Sequence, residues 1–143
     1  MNDEQELTIS ADPALLDLDV IHGFLAQSYW ARGIPRELVE RSIRNSLCFG
    51  IYLEGRQVGF ARVITDYATF GYVGDVFVLE DYRGRGLSKR LMTAIMAHPD
   101  LAGLRRWHLV TADAHGLYRQ NGFQPLSAPE RHMEINVPKP YGL

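Results

Sequence analysis

The chain changes its hydrophobic period abruptly in one place, and that junction limits the folds open to it. Residues 69 to 79, TFGYVGDVFVL, become apolar on both parities, the pattern of a strand covered on both faces. The following stretch, EDYRGRGLSKRLMTAIMAHP, opens with glycines and then sets Leu87, Leu91 and Ile95 on one face, supplemented by Met92 and Met96. That spacing predicts a helix from about Gly86 to His98. A second extended run, RRWHLVTA, comes next. Strand, helix and strand in this order make one crossover, around residues 80 to 106, within an α/β sheet. The first strand of the unit is expected near the centre of that sheet.

The junction also carries chemistry. The first turn of a helix has backbone N–H groups without intrahelical partners, and such a terminus attracts an anion. Gly84 and Gly86 lack a Cβ, so the loop can turn sharply and bring its amides close to a phosphate, while Arg83, Arg85, Lys89 and Arg90 add positive charge. A diphosphate suits this arrangement. Two familiar phosphate motifs do not fit: no Gly-Lys-Ser/Thr triplet follows four residues after a glycine, and Lys89 stands where a dinucleotide fingerprint needs its third glycine. A glycine pair by itself is as consistent with an ordinary surface turn as with a ligand loop.

The flanking segments fill out the order of elements. Residues 7 to 10 alternate as a short strand, broken by Asp12 and Pro13. In DVIHGFLAQSYW, the residues Val20, Ile21, Phe24 and Leu25 form one apolar face of a helix that Gly33 is expected to end. Pro35 suits the first turn of a second helix, with Leu38, Val39, Ile43 and Leu47 as its stripe. CFGIYLE and QVGFARVITD, separated by turn chemistry at Glu54, Gly55 and Arg56, read as a β-hairpin. Asp113 is a candidate N-cap for a short helix containing Leu117 and Tyr118 and closed by Asn121 and Gly122, after which FQPL and HMEINV are expected to supply closing strands.

Composition narrows the class. With 143 residues and 46% hydrophobic residues, the chain can bury one core, and a single domain over 1–143 is expected. The 15 Lys plus Arg against 17 Asp plus Glu give a formal charge of -2, which argues against a nucleic-acid binder driven by phosphate neutralisation. Cys48, the one cysteine, can form no internal disulfide and has no thiol companion for a zinc site, so no metal is expected and a reducing compartment is the simpler reading. The start, MNDEQELTIS, has three acids and no basic run, unlike a signal peptide, and no stretch approaches the roughly 20 apolar residues of a membrane span. A cytoplasmic location with no membrane partner is expected.

Taken with the motif letters, the chain resembles the GNAT superfamily of N-acetyltransferases. That family's acetyl-CoA signature, Q/R-x-x-G-x-G/A after a strand reading like DVFV, is matched by Arg83, Gly84, Arg85, Gly86, Leu87 and Ser88, with a serine in place of the last glycine or alanine. A late Leu-Tyr followed by Gly-Phe, its second mark, is matched by Leu117, Tyr118, Gly122 and Phe123. The resemblance implies a mixed, mostly antiparallel sheet of six to seven strands with about four helices and a parallel central strand pair. It implies that the backbone of Val76, Phe77 and Val78 pairs with the pantetheine arm of acetyl-CoA, that residues 84 to 89, Lys89 included, hold the diphosphate, and that a homodimer is common.

The same resemblance assigns catalytic roles for direct attack by a primary amine. Tyr118 would be the general acid, a phenol near pKa 10 facing a departing thiolate near 8.5, and a backbone N–H near Val78 would receive the developing oxyanion. Taken alone, a tyrosine on an apolar helix face is more often core packing. The strand WHLVT lacks the carboxylate that many relatives carry there. Asp75 is therefore the leading candidate base, because a carboxylate inside an apolar run must be functional or else paired with a neighbouring turn or arginine. His108 and His115 rank below it.

The acceptor is less well specified. Tyr29, Trp30, Tyr52, Phe70 and Tyr72 fit an apolar amine but equally a packed core, and Arg32, Arg36, Arg41 and Arg44 fit either a substrate carboxylate or a solvated helix face. Two functional classes follow from these residues. One is an acetyl-CoA-dependent N-acetyltransferase acting on a small-molecule, peptide or protein amine, and the other is a catalytically inactive acetyl-CoA-binding regulatory module.

Overall fold

The computed structural model describes residues 6–142. Five strands form one sheet in the order β1 (Leu7–Ser10), β2 (Leu47–Leu53), β3 (Arg56–Thr65), β4 (Phe70–Val78) and β5 (Arg106–Leu109). All neighbours are antiparallel except β4 and β5, which run parallel. Four α-helices accompany them: α1 (Leu18–Leu25), α2 (Arg36–Arg44), α3 (Leu87–Ala97) and α4 (His115–Arg119).

Side-chain alternation in the strands divides the core into two layers. On one face Phe49, Ile51, Ala61, Val63 and Val73 pack with Leu87, Leu91, Met92 and Ile95 of α3. On the other, Cys48, Phe60 and Phe77 meet Ile21, Leu25 and Val39 of α1 and α2. The apolar run on both parities of β2 and β4 thus has a direct cause, since helices cover both faces. Each fully buried Leu or Ile contributes about 1.5–3 kcal/mol.

Local chemistry sets the joins. The hairpin β2–β3 turns through Glu54 and Gly55, both at positive φ (51° and 81°), the pattern of a two-residue type I′ turn. Buried Gln57 accepts a hydrogen bond from Asp17 N–H (2.7 Å) and donates to Gly59 O (3.1 Å), tying the start of α1 to the hairpin.

Several boundaries differ from the sequence reading. Helix α1 stops at Leu25 rather than near Gly33, because the Ser28 hydroxyl donates to Leu25 O (2.7 Å) and accepts from Ala31 N–H (3.1 Å), turning the chain early. Pro35 is the N-cap of α2, one position before its first turn, and Leu47 belongs to β2 instead of the stripe of α2. Ala114, not Asp113, caps α4; its N–H donates to the Thr111 hydroxyl (3.0 Å). The closing strands FQPL and HMEINV do not form, so the sheet has five strands and the parallel pair lies at its edge, with β4 one strand in from that edge. Pro125 and Pro129 withdraw N–H donors from that region, and β5 is four residues long.

Candidate active site

Strand β4 has one fully paired edge and one that is half open. Its register with β3 runs to Val78, whereas its register with β5 covers Phe70–Val73 against Arg106–Leu109 and then ends. Beyond Val73 the two parallel strands part. Leu79 N–H donates to Val58 O (2.8 Å) on the β3 side, so alternation directs the backbone groups of Val78 and Val76 toward the open side. Phe77 lies between them, its backbone turned to β3 and its ring stacked on Phe24 at 4.0 Å between centroids.

At the mouth of the opening, β4 carries a bulge. Phe60 faces Phe77 and Arg62 faces Gly74, leaving Asp75 and Val76 against Ala61 alone. Asp75 takes φ of 54°, a left-handed conformation costly for a residue with a side chain. Each oxygen of its carboxylate accepts a hydrogen bond: Arg62 Nε donates to Oδ2 and Trp30 Nε1 to Oδ1, each at 2.9 Å, and Arg62 Nη1 also donates to the Ser46 hydroxyl (3.1 Å). Of the two readings that the sequence allowed for Asp75, pairing with an arginine is the one present. Nothing in the sequence pointed to Trp30 and Arg62 as its partners, because they come from the end of the α1 segment and from β3.

The open edge of β4 leads through the turn Glu80–Tyr82 into the glycine loop. Gly84 and Gly86 hold φ of 79° and 73°, and a Cβ at either would meet no heavy atom within 4 Å, so the space before the loop is open. Gly86 is the N-cap of α3 and offers no side chain to its first turn, while Arg90 N–H begins the helical ladder on Gly86 O. The N–H groups of Leu87, Ser88 and Lys89 therefore have no intrahelical acceptor. Arg83 Nε donates to Val78 O (3.0 Å), pinning the loop to the strand, and the Arg85 guanidinium lies 5.3 Å from the Tyr82 ring centre. Leu87 is core by its side chain, so its backbone alone faces outward; Lys89 and Arg90 are exposed. Positive-φ glycines, open space and bare helical amides form a cradle suited to a diphosphate.

A cleft of about 800 Å³ is lined among others by Trp107, His108, His115, Tyr118 and His132. Tyr118 is buried, edge-on to Phe123 at 6.0 Å. Burial, with smaller contributions from Asp113 and Tyr29, raises its pKa above the ordinary value. Full proton transfer from such a phenol to a thiolate near 8.5 is uphill, so the expected delivery reduces to a hydrogen bond donated to the departing sulfur. His108 is stacked between Tyr72 (5.7 Å) and His132 (6.0 Å). Burial first, then the charges of His132 and Arg106, lower its pKa and favour neutral imidazole. The sequence reading missed His132, which no local pattern distinguishes.

The remaining candidates separate cleanly. Tyr29, Trp30 and Phe70 are exposed, whereas Tyr52 is core, with its hydroxyl over Gly50 where a Cβ would collide. Arg36 pairs with Asp19 (2.6 Å) and Arg44 with Glu40 (3.8 Å), as surface arginines do. Cys48 is buried, its thiol pushed up to about 12 chiefly by desolvation, and behaves as a small hydrophobe. Among the described residues, no group of three or more His, Cys, Asp or Glu could hold a metal, and no helix is long and apolar enough to cross a membrane.

A mixed sheet with a parallel β4–β5 pair, and a glycine loop that leads from β4 into a helix with a bare N-terminus, define a mixed α/β fold of five strands and four helices. The family model of the GNAT acetyltransferase domain matches residues 44–125, which spans the hairpin, β4, the glycine loop and α4. The chain belongs to the GNAT acetyltransferase family. A Gibberella zeae protein named as a candidate acetyltransferase is 34% identical over 137 residues, covering 79% of this chain and 76% of the relative. A crystal structure from Xanthomonas campestris pv. campestris, described as a candidate GNAT-family acetyltransferase, superposes with a TM-score of 0.93 at 57% identity, covering 96% of this chain and 98% of that one. A Clostridium acetobutylicum protein crystallised with acetyl-CoA shares the fold, with a TM-score of 0.66 at 12% identity and coverage of 93% and 96%.

Proposed function

We propose that residues 1–143 form a single cytoplasmic domain that transfers the acetyl group of acetyl-CoA to a primary amine by direct attack. The observation that carries this reading is the continuity of a backbone edge without a strand partner, Gly74–Val78, with an anion cradle at Gly84, Gly86 and the first turn of α3. An extended amide-bearing arm can add to the edge as a strand would, and the diphosphate at its end then falls to the amides of residues 86–89. The relative crystallised with acetyl-CoA supports the same choice of ligand. Acetyl-CoA supplies the acyl group as a thioester. This chain's residues then have three tasks: the backbone of Val76 and Val78 orients the arm, an open-side N–H near Val78 donates to the carbonyl oxygen as charge develops, and Tyr118 donates to the leaving sulfur.

The proton of the attacking amine needs an acceptor. Asp75 has both oxygens occupied by Arg62 and Trp30, so we assign it to holding the bulge of β4, with neutral His108 in the Tyr118 cleft as the group that takes the proton. The Asp75 network also favours the second reading, a module that binds acetyl-CoA without turning it over, because it leaves β4 without a free carboxylate.

Calorimetric titration with acetyl-CoA, followed by thiol release in the presence of a panel of amines, separates the two. Binding near one site per chain with amine-dependent release is expected; binding without release establishes the regulatory module, and no binding removes both. The pH profile of kcat/KM then assigns the base. His108→Gln should remove its acid-side limb and Asp75→Asn should lower the plateau while keeping the limb; the reverse pattern makes Asp75 the base.

A further inference from the structure

The arginines of α2 differ in their surroundings. Arg36 and Arg44 pair with Asp19 and Glu40, whereas among the described residues Arg41 has no ion-pair partner. Arg41 borders a second pocket, of about 280 Å³, lined among others by Leu38, Asn45, Ser46, Arg62 and Ile64 and by no carboxylate. Arg62 spends its Nε hydrogen on Asp75 and one Nη1 hydrogen on Ser46, so other N–H groups of its guanidinium remain to donate. The Ser46 hydroxyl accepts that bond and keeps its own proton for another acceptor, and Asn45 gives only one amide hydrogen, to Arg41 O (2.9 Å). Asp75 offsets the charge of Arg62 from outside the pocket, and the charge of Arg41 is unopposed. Such a concentration of donors around a small concavity suits a carboxylate.

Sheet register ties this pocket to the reacting amine. Cross-strand partners share a face, so the pairs Ile64↔Tyr72 and Tyr72↔His108 set three side chains in a row across β3, β4 and β5. Arg62, two residues from Ile64 on the same strand, lies on that face as well. The row therefore leads from the pocket to His108, the group assigned to take the amine proton. Its ends are two strand spacings apart, about 10 Å. With a hydrogen bond at each end, the bound molecule spans roughly 5–8 Å from amine to carboxylate. An extended chain gains about 1.2 Å per bond, so roughly four to six bonds separate the two groups. The amine of an α-amino acid, on the carbon next to its carboxylate, cannot reach. Between the ends, the half-buried Tyr72 ring offers an apolar surface to the connecting methylenes.

We infer that the pocket at Arg41, Ser46 and Arg62 binds the carboxylate of the acceptor, a small amino acid whose reactive amine stands at the far end of its carbon chain, as in an ω-amino acid or the side chain of free lysine. This assignment rests on the acetyl-transfer reading and names the substrate class for it. Arg41 and Arg62 hold the carboxylate, Ser46 donates to it, and the amine is left beside His108 and Tyr118. Of the four arginines whose sequence positions fitted a substrate carboxylate, the fold selects Arg41, and it adds Arg62 from β3.

The test compares thiol release from acetyl-CoA with ε-aminocaproate and with hexylamine, two amines of similar basicity and length of which only the first carries a carboxylate. The full chain should prefer ε-aminocaproate about tenfold in kcat/KM at low salt, with the preference shrinking as salt rises, and glycine should be a poor acceptor. Arg41 is exposed, so Arg41→Gln should fold normally. It should abolish the preference by raising KM for ε-aminocaproate at unchanged kcat, and leave hexylamine within about twofold. Arg44→Gln, on the same helix but outside the pocket, should change neither amine. Equal kcat/KM for the two amines overturns the inference and leaves acetyl transfer standing. So does a preference that survives Arg41→Gln, or one that Arg44→Gln removes equally. Release from no amine at all overturns the acetyl-transfer reading, and the acceptor assignment with it.

Discussion

The two edges of β4 are built differently, and the difference shows where the molecule keeps its chemistry. Toward β3 the strand is paired from Gly71 to Val78, with Phe60 and Phe77 sealing the layer beneath α1. Toward β5 it is paired from Phe70 to Val73, and the unpaired remainder runs into a bulge, a pair of positive-φ glycines and a bare helix terminus. The closed edge arises because β3 has ten residues and joins β4 through a short capped turn. The open one arises because β5 has four residues and is reached only after α3. Backbone groups left unpaired cost free energy unless water or a partner satisfies them, so an open edge inside a packed domain is the edge to which a ligand's own amides can bind.

If the closed edge carries stability and the open one function, substitutions should divide along that line. Phe60→Ala should have the largest effect, destabilising the fold by about 3–5 kcal/mol in denaturant titration, because a fully buried ring leaves a cavity under the sheet. A loss below 1 kcal/mol would show that the edge is less tightly sealed than its packing suggests. Tyr118→Phe should lower kcat about 100-fold in thiol-release assays and leave acetyl-CoA affinity nearly unchanged, as expected for a group acting on the leaving sulfur. Equal losses in binding would instead make Tyr118 part of the cofactor wall.

Gly86→Val should weaken acetyl-CoA binding about tenfold in calorimetry, through strain at φ of 73° and a side chain in the open cradle. The smallest effect is expected at the turn of the closed edge. There the Asp66 carboxylate accepts from Thr69 N–H (2.7 Å), the Thr69 hydroxyl (2.7 Å) and Ala68 N–H (3.0 Å), which holds its pKa well below the usual carboxylate range. A depressed carboxylate stabilises the fold above its unfolded pKa of about 3.9 and loses that contribution as pH falls toward its folded value. Asp66→Ala should therefore lower Tm slightly near neutrality, and the gap from the unmodified chain should close below about pH 4.

How much of this was legible beforehand varies with the range of the interaction. The helix at Leu87–Ala97 and the glycine junction before it were readable because period and glycine position are local properties. The Glu54-Gly55 turn was readable for the same reason. The end of α1 was misjudged because a serine hydroxyl competes with the helical ladder, and side-chain competition of that kind has no periodic signature. Asp75 is the instructive site residue. Its oddity inside an apolar run was visible, but the partners that hold it were not, because Arg62 lies thirteen positions away on a neighbouring strand and Trp30 forty-five positions away.

The sequence by itself determined the alternation of elements, the apolar faces, the phosphate-friendly loop and the family, because each rests on residues close together in the chain. Only the tertiary structure decided that β4 and β5 part after Val73, that Asp75 sits in a bulge with both oxygens engaged, and that His108 shares a cleft with Tyr118 and His132. Those outcomes depend on strand register and on the length over which two distant segments pair. Register is fixed by the packing of whole layers, which no short stretch of sequence encodes.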